Sequence, residues 1–137
     1  MHDHYIFDDE VFEVQFENCD LSPKLFSHEA HIRLAWIHIK KYGIEKAIIN
    51  IDQQLSSFVD SLGLRAKYNK TVTIAAVKAV YHFILKSKSD NFKSFIEEFP
   101  RLKVDFIALL KSHYSIDLFN SENAKTTFID PDILPFD

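Results

Sequence analysis

Gly43 and Gly63 are the only glycines in a chain of 137 residues, and each follows a run of apolar residues spaced three and four apart. Tight hairpins, dinucleotide-binding turns and phosphate loops all lean on glycine, whose backbone enters conformations other residues resist. A chain this poor in glycine is steered away from those architectures, and an all-α fold follows. The length suits one domain, 1–137, able to bury a hydrophobic core without disulfide or metal staples. With 13 Phe, five Tyr and one Trp, that core is expected to be rich in aromatic rings.

The spacing of apolar residues predicts four main helices. A short helix over Asp8–Glu17 comes first, and Ser22-Pro23 then forces a turn. Ser27 is placed to cap a helix over His28–Tyr42, which Gly43 closes in the left-handed region. The next helix, Ile44–Leu62, carries Ile44, Ala47, Ile51, Leu55, Phe58 and Leu62 on one stripe and Lys46, Asn50, Gln53 and Asp60 on the other. A third runs from Asn69 or Lys70 to Ser87. Asp90 is expected to cap a fourth over Asn91–Glu98, and Pro100 either kinks it or opens a fifth carrying Leu102, Phe106, Leu110 and Tyr114. Ser121–Phe128 reads as one short helix. The remaining segment, with Pro131 and Pro135, reads as an extended tail laid on the body through Phe128, Ile133, Leu134 and Phe136. The short connections make neighbouring helices antiparallel, which gives a compact four-helix bundle.

Charge and cysteine content narrow the function classes. A formal net charge of −4 supplies no basic footprint, so nucleic acid is not an expected partner. The single cysteine, Cys19, has no internal partner, in keeping with a reducing compartment. No apolar run approaches the ~20 residues a membrane span requires, and no leader pattern opens the chain. A cytoplasmic protein is expected. Nucleophile elbows, CxxC pairs and HExxH motifs are missing, and Glu97-Glu98 and Asp8-Asp9-Glu10 read as solvated surface.

The residues that invite chemistry are His28 and His31. At about 100° per residue, Glu29, Arg33 and Lys40 gather in one arc of the helix, and both imidazoles fall on the other side. On that reading they point inward, where an imidazole needs a hydrogen-bond partner, a ligand or a metal. The first and third long helices run the same way, so their starts share one end of the bundle. Tyr68, Asn69, Thr71 and Thr73 would join the two histidines there. Helix starts favour an anion and disfavour imidazolium, leaving neutral histidines able to act as bases or ligands. A structural alternative stands beside this one: Asn69 and Thr73 have the chemistry of capping and back-bonding groups, and Tyr68 that of a packed aromatic with a satisfied hydroxyl. His2 and His4 look like a chance pair at a frayed terminus. Zinc would require one or two ligands beyond His28 and His31, and no spacing in the chain supplies them.

Phe16-Glu17, Phe26-Ser27-His28-Glu29-Ala30-His31-Ile32 with Ala35-Trp36, Tyr68-Asn69-Lys70-Thr71-Val72-Thr73, and Ser121 with Ala124, Phe128 and Pro131-Asp132 together resemble a family of small bacterial all-α proteins without an assigned reaction. Its members read F-x-H-x-x-H-[LI] and Y-H-x-T-[IV]-T, over about residues 12–136 of this chain. The resemblance implies that His28, His31, Tyr68, Thr71 and Thr73 form one unit. Asn69 stands where the family has histidine, and Lys70 where an acid often follows. A three-histidine metal set would therefore be one ligand short, and the departure favours a polar pocket in which Asn69 donates and accepts.

Three function classes follow. The first is a protein that binds a small polar or anionic molecule, with or without chemistry on it: His28 or His31 supplies acid or base, and Tyr68, Asn69, Thr71 and Thr73 position the ligand. The second is a metal-dependent hydrolase or transferase using His28 and His31. The third is a non-catalytic module, a homodimer among its forms, for which Phe7, Phe12, Trp36 and Phe136 would have to lie exposed.

Overall fold

Asp8 turns the chain into its first helix by accepting the Val11 N–H at 2.9 Å, and the same device recurs at most helix starts of the computed structural model, which describes residues 3–135. Helix α1 is Asp9–Glu17, α2 is His28–Tyr42 behind the Ser27 cap, and α3 is Ile44–Ser61. Helix α4, Lys70–Ile84, starts at Asn69, α5 is Phe92–Glu98, α6 is Arg101–Val104, α7 is Phe106–Lys111 and α8 is Glu122–Thr126. Among the described residues there are no strands, so the fold is all-α. None of these helices is long and apolar enough to cross a membrane.

The chain divides into two units, Met1–Tyr68 and Asn69–Asp137. In the first, α2 and α3 pack along each other and α1 lies against both. A single residue, Gly43, ends α2 and starts α3, at φ +86° and ψ 166°. That is not the left-handed helical region expected of it: φ is positive but ψ is extended, a combination essentially confined to glycine, and it folds α3 back beside α2 with no intervening loop. Phe12, Phe16, Ile32, Leu34, Ile51 and Phe58 fill this unit, each nearly or fully buried. Burying each such ring or branched chain contributes about 1.5–3 kcal/mol. In the second unit α4 packs against α7, α8 and the 3-10 turn Leu118–Asn120, with Val77, Val80, Phe95, Leu102 and Leu110 inside.

Several boundaries differ from the sequence reading for local reasons. Helix α4 stops at Ile84, because Lys86 and Ser87 make tighter bonds to Phe83 and Ile84 in place of further α-helical ones. Asn91, not Asp90, caps α5 by accepting the Ser94 N–H. The fifth helix is two pieces, broken at Asp105 (φ −139°, ψ 30°). The C-terminal helix covers Glu122–Thr126 only. The tail is tied to its unit by hydrogen bonds rather than by Ile133 and Leu134, which are exposed: Ile133 N–H donates to His113 O at 3.0 Å and the Asp132 carboxylate accepts the Ser115 N–H at 2.9 Å, while Phe128 is half-buried. Phe136 and His2 lie outside the described residues. Phe12 and Trp36 are buried and Phe7 is half-buried.

Candidate functional site

The start of α2 is built on a stack of rings. Ser27 Oγ accepts the Ala30 N–H at 3.2 Å and fixes where the helix begins. Phe26, at the end of the 3-10 turn Pro23–Leu25, is carried into the aromatic core, 4.8 Å from Phe16 and 5.1 Å from Phe58 between ring centroids. The His31 imidazole is stacked on Phe26, near-parallel, at 3.8 Å and 26°. His31 is thus backed by a phenyl ring that is itself backed by two more.

The orientation reverses the expectation. His28 and His31 are both exposed, not turned inward. The arc read as solvated is instead the docking face for the N-terminal segment. Arg33, only 4% exposed, donates to the carbonyls of His4 and Phe7 and to the Asp9 carboxylate. Glu29 accepts from His4 Nε2 at 2.9 Å. Paired charges can be buried, so a charged arc does not by itself mark the side facing water. His4, read as frayed, is fully buried. Desolvation by the protein packed behind the ring, although the side chain itself is exposed, followed by the like charge of His28, pushes the His31 pKa down to about 4. Its exposed side keeps contact with water, which offsets part of that push. At neutral pH the ring is uncharged and carries one donor and one acceptor nitrogen.

Tyr68, also in the first unit, donates its hydroxyl to the Asp52 carboxylate and approaches the Asp52 carbonyl oxygen at 3.3 Å. Asp52 had no distinguishing sequence signal: it is half-buried on α3, 16 residues from its partner.

The other three candidates belong to the second unit, at the first turn of α4, where they act as tie points. Asn69 Oδ1 caps the helix by accepting the Val72 N–H at 3.0 Å, and Asn69 Nδ2 donates to Leu118 O at 2.8 Å. Thr71, fully buried, donates to Thr127 O at 2.8 Å and accepts the Ile129 N–H at 3.1 Å. Thr73 back-bonds to Asn69 O at 2.9 Å. The Thr71 hydroxyl holds the segment after α8, which corrects its expected place as a ligand contact. The side chains of Asn69 and Thr73 perform the capping and back-bonding their residue types favour.

Among the described residues no three His, Cys, Asp or Glu side chains are grouped so as to hold a metal ion. Compared with protein-family models, curated proteins and solved structures, the chain has no match.

Sequence reasoning missed a second cluster in the first unit. Glu13 on α1 accepts from Lys41 at 3.0 Å and from the Tyr42 hydroxyl, both at the end of α2. His38, one turn earlier on α2, is fully buried. Asn50 of α3 lies 3.5 Å from His38 Nδ1, and His38 Nε2 has no hydrogen-bond partner. The available signal was the position of His38 at the edge of the inner arc of its helix.

Proposed function

We propose that the chain binds a small polar or anionic molecule at the exposed start of α2, with His28 and His31 as the contacting groups. The observation that supports this most is the setting of His31: an exposed, uncharged imidazole held by a ring stack on Phe26. An interior histidine would be explained by the hydrogen bonds it satisfies; an exposed one backed by three aromatic rings has a fixed orientation that the core does not require. The stack restrains the ring, so its nitrogens are pre-aimed and a ligand would face a smaller ordering cost on binding. The helix start adds a favourable field for negative charge. In this role His31 accepts a proton or a hydrogen bond from the ligand, and His28, three residues earlier on the same helix, is near enough to contact the same small molecule. Tyr68, Asn69, Thr71 and Thr73 are not assigned to ligand contact, since each hydroxyl or amide is committed to the protein.

The test is a titration of the wild-type chain and of His31→Ala with acetate and with inorganic phosphate, followed through the imidazole resonances. Saturable shifts at His28 and His31 that vanish at His28 in the variant support the site. Unmoved imidazole signals up to millimolar ligand, or equal shifts in both proteins, would remove it.

A further inference from the structure

The cluster around His38 serves no purpose in the site above, and its geometry suggests one of its own. We propose that His38 is an acid-sensitive pin: when its ring takes up a proton, α1 loosens from α2 and α3, and the aromatic support beneath His31 loosens with it.

The argument starts from the hydrogen-bonding inventory. His38 is fully buried, and of its two nitrogens only Nδ1 faces a polar side chain, the Asn50 amide at 3.5 Å. Nε2 meets no acceptor. A neutral ring leaves one group unsatisfied; an imidazolium carries a full charge and still has an N–H without an acceptor, a much larger cost in a closed interior. The charged and titratable groups acting on the ring are Glu13 from α1 and Lys41 from α2, with Tyr42 beside it at 5.3 Å between centroids, while α3 contributes the uncharged Asn50. Burial disfavours the cation, Glu13 favours it and Lys41 opposes it; burial and Lys41 together outweigh Glu13 and hold the His38 pKa below the ordinary histidine value.

Protonation must therefore open a path to water, and α1 is the element best placed to move. It has nine residues against 15 in α2 and 18 in α3, so it has the least to lose on detaching. Its polar attachment beside His38 is the Glu13 carboxylate, gripped by the exposed Lys41 and Tyr42. One turn further along α1, Phe16 packs against Phe26, and Phe26 carries His31. A contiguous set of contacts thus joins the pin to the candidate site, with α1 docked or undocked as its two states. The pin operates whether or not a ligand binds at His31, so its failure and the failure of the proposed function are separate results.

Amide exchange in the unliganded wild-type chain, measured from pH 7.5 to 5 and expressed as protection factors, reads the switch directly. Below the ordinary histidine pKa of about 6.5, protection over Phe12–Glu17 should fall by up to about tenfold per pH unit, the limit for uptake of one proton on opening. The Phe26 ring resonances should shift over the same range. In His38→Gln, which is neutral throughout, both changes should disappear. Flat protection across α1 in the wild type, or an equal fall in His38→Gln, would overturn the proposal. If His38→Gln does not fold, the wild-type His38 ring titration decides: its midpoint must lie below about 6.5, at the acid end of the fall in α1 protection, and a midpoint at or above that value rejects the pin.

Discussion

Arg33 Nη1 donates to the backbone carbonyl of His4 at 2.8 Å and lies 3.2 Å from the Nδ1 of the same residue, so one guanidinium reads both ends of a histidine 29 positions away. The Arg33 N–H occupies Nδ1, which leaves the His4 proton on Nε2, where it is donated to Glu29. Asp9 takes two more of the Arg33 donors and the Phe7 carbonyl a third, and the guanidinium lies 4.8 Å from the centre of the Phe12 ring. A planar fork with several fixed donors suits this arrangement, and a lysine ammonium does not.

Arg33→Met should therefore cost far more than loss of a surface charge. The substitution removes the side-chain donors to the His4 and Phe7 carbonyls and leaves Asp9 without its buried counter-charge; breaking such a set by removing one partner costs on the order of 3 kcal/mol. Arg33→Lys should recover only part of that. Urea unfolding midpoints check the loss, and limited proteolysis should show earlier cleavage within residues 3–8.

Thr71 and Thr73 sit two apart at the start of α4 and should respond differently to the same change. Thr71→Val keeps the shape but removes the donor to Thr127 O and the acceptor for Ile129 N–H, a loss of about 1–3 kcal/mol. The Asn69 carbonyl bonded by the Thr73 hydroxyl also accepts the Thr73 N–H, so Thr73→Val leaves no backbone group unpaired. It should cost under about 1 kcal/mol. Chemical unfolding of the two variants side by side tests the ordering; equal losses would contradict it.

These contrasts mark what the sequence could and could not tell. Ser27 before His28, and Asn69 before a run of apolar residues, announce their helices because a cap acts through its own neighbours within three positions. The break at Asp105, the burial of His4 and the docking of Arg33 depend on partners far along the chain, which no local pattern encodes. On α2 charge does not mark the side facing water, because Glu29 and Arg33 are met by His4 and Asp9. His28 and His31 therefore lie outward, and the candidate site is an exposed, ring-backed surface in place of the expected interior chamber. Asn50 was likewise placed on the wet side of α3, although it faces the buried His38.

His31→Ala separates a structural from a functional histidine. The residue is exposed and its stack on Phe26 is one-sided, so truncation should lower stability by only about 1 kcal/mol, the worth of one aromatic contact. Phe26→Ala, which removes the ring joining Phe16 and Phe58 to His31, should cost about 3 kcal/mol. A thermal unfolding comparison that reversed this order would make His31 a core residue and undo its place in the proposed site.

The Glu13 carboxylate offers a pH test with a defined sign. Burial pushes its pKa up, but the hydrogen bond from Tyr42, then that from Lys41, outweighs burial and holds it below the ordinary 4.5. A carboxylate with a depressed folded pKa contributes stability that is fully present above its unfolded value and is lost as pH falls through the folded one. Wild-type stability from this group should accordingly hold down to about pH 4.5 and decline below it. Tyr42→Phe removes the stronger of the two lowering bonds and moves the Glu13 pKa back up, so the acid-dependent loss shrinks. Urea midpoints collected from pH 7 to 3 should show wild type above Tyr42→Phe at neutral pH, with the two curves converging in acid. A gap of constant size would mean that the Tyr42 hydroxyl does not distinguish ionised from protonated Glu13, and that the grip on α1 rests on Lys41 and apolar packing alone.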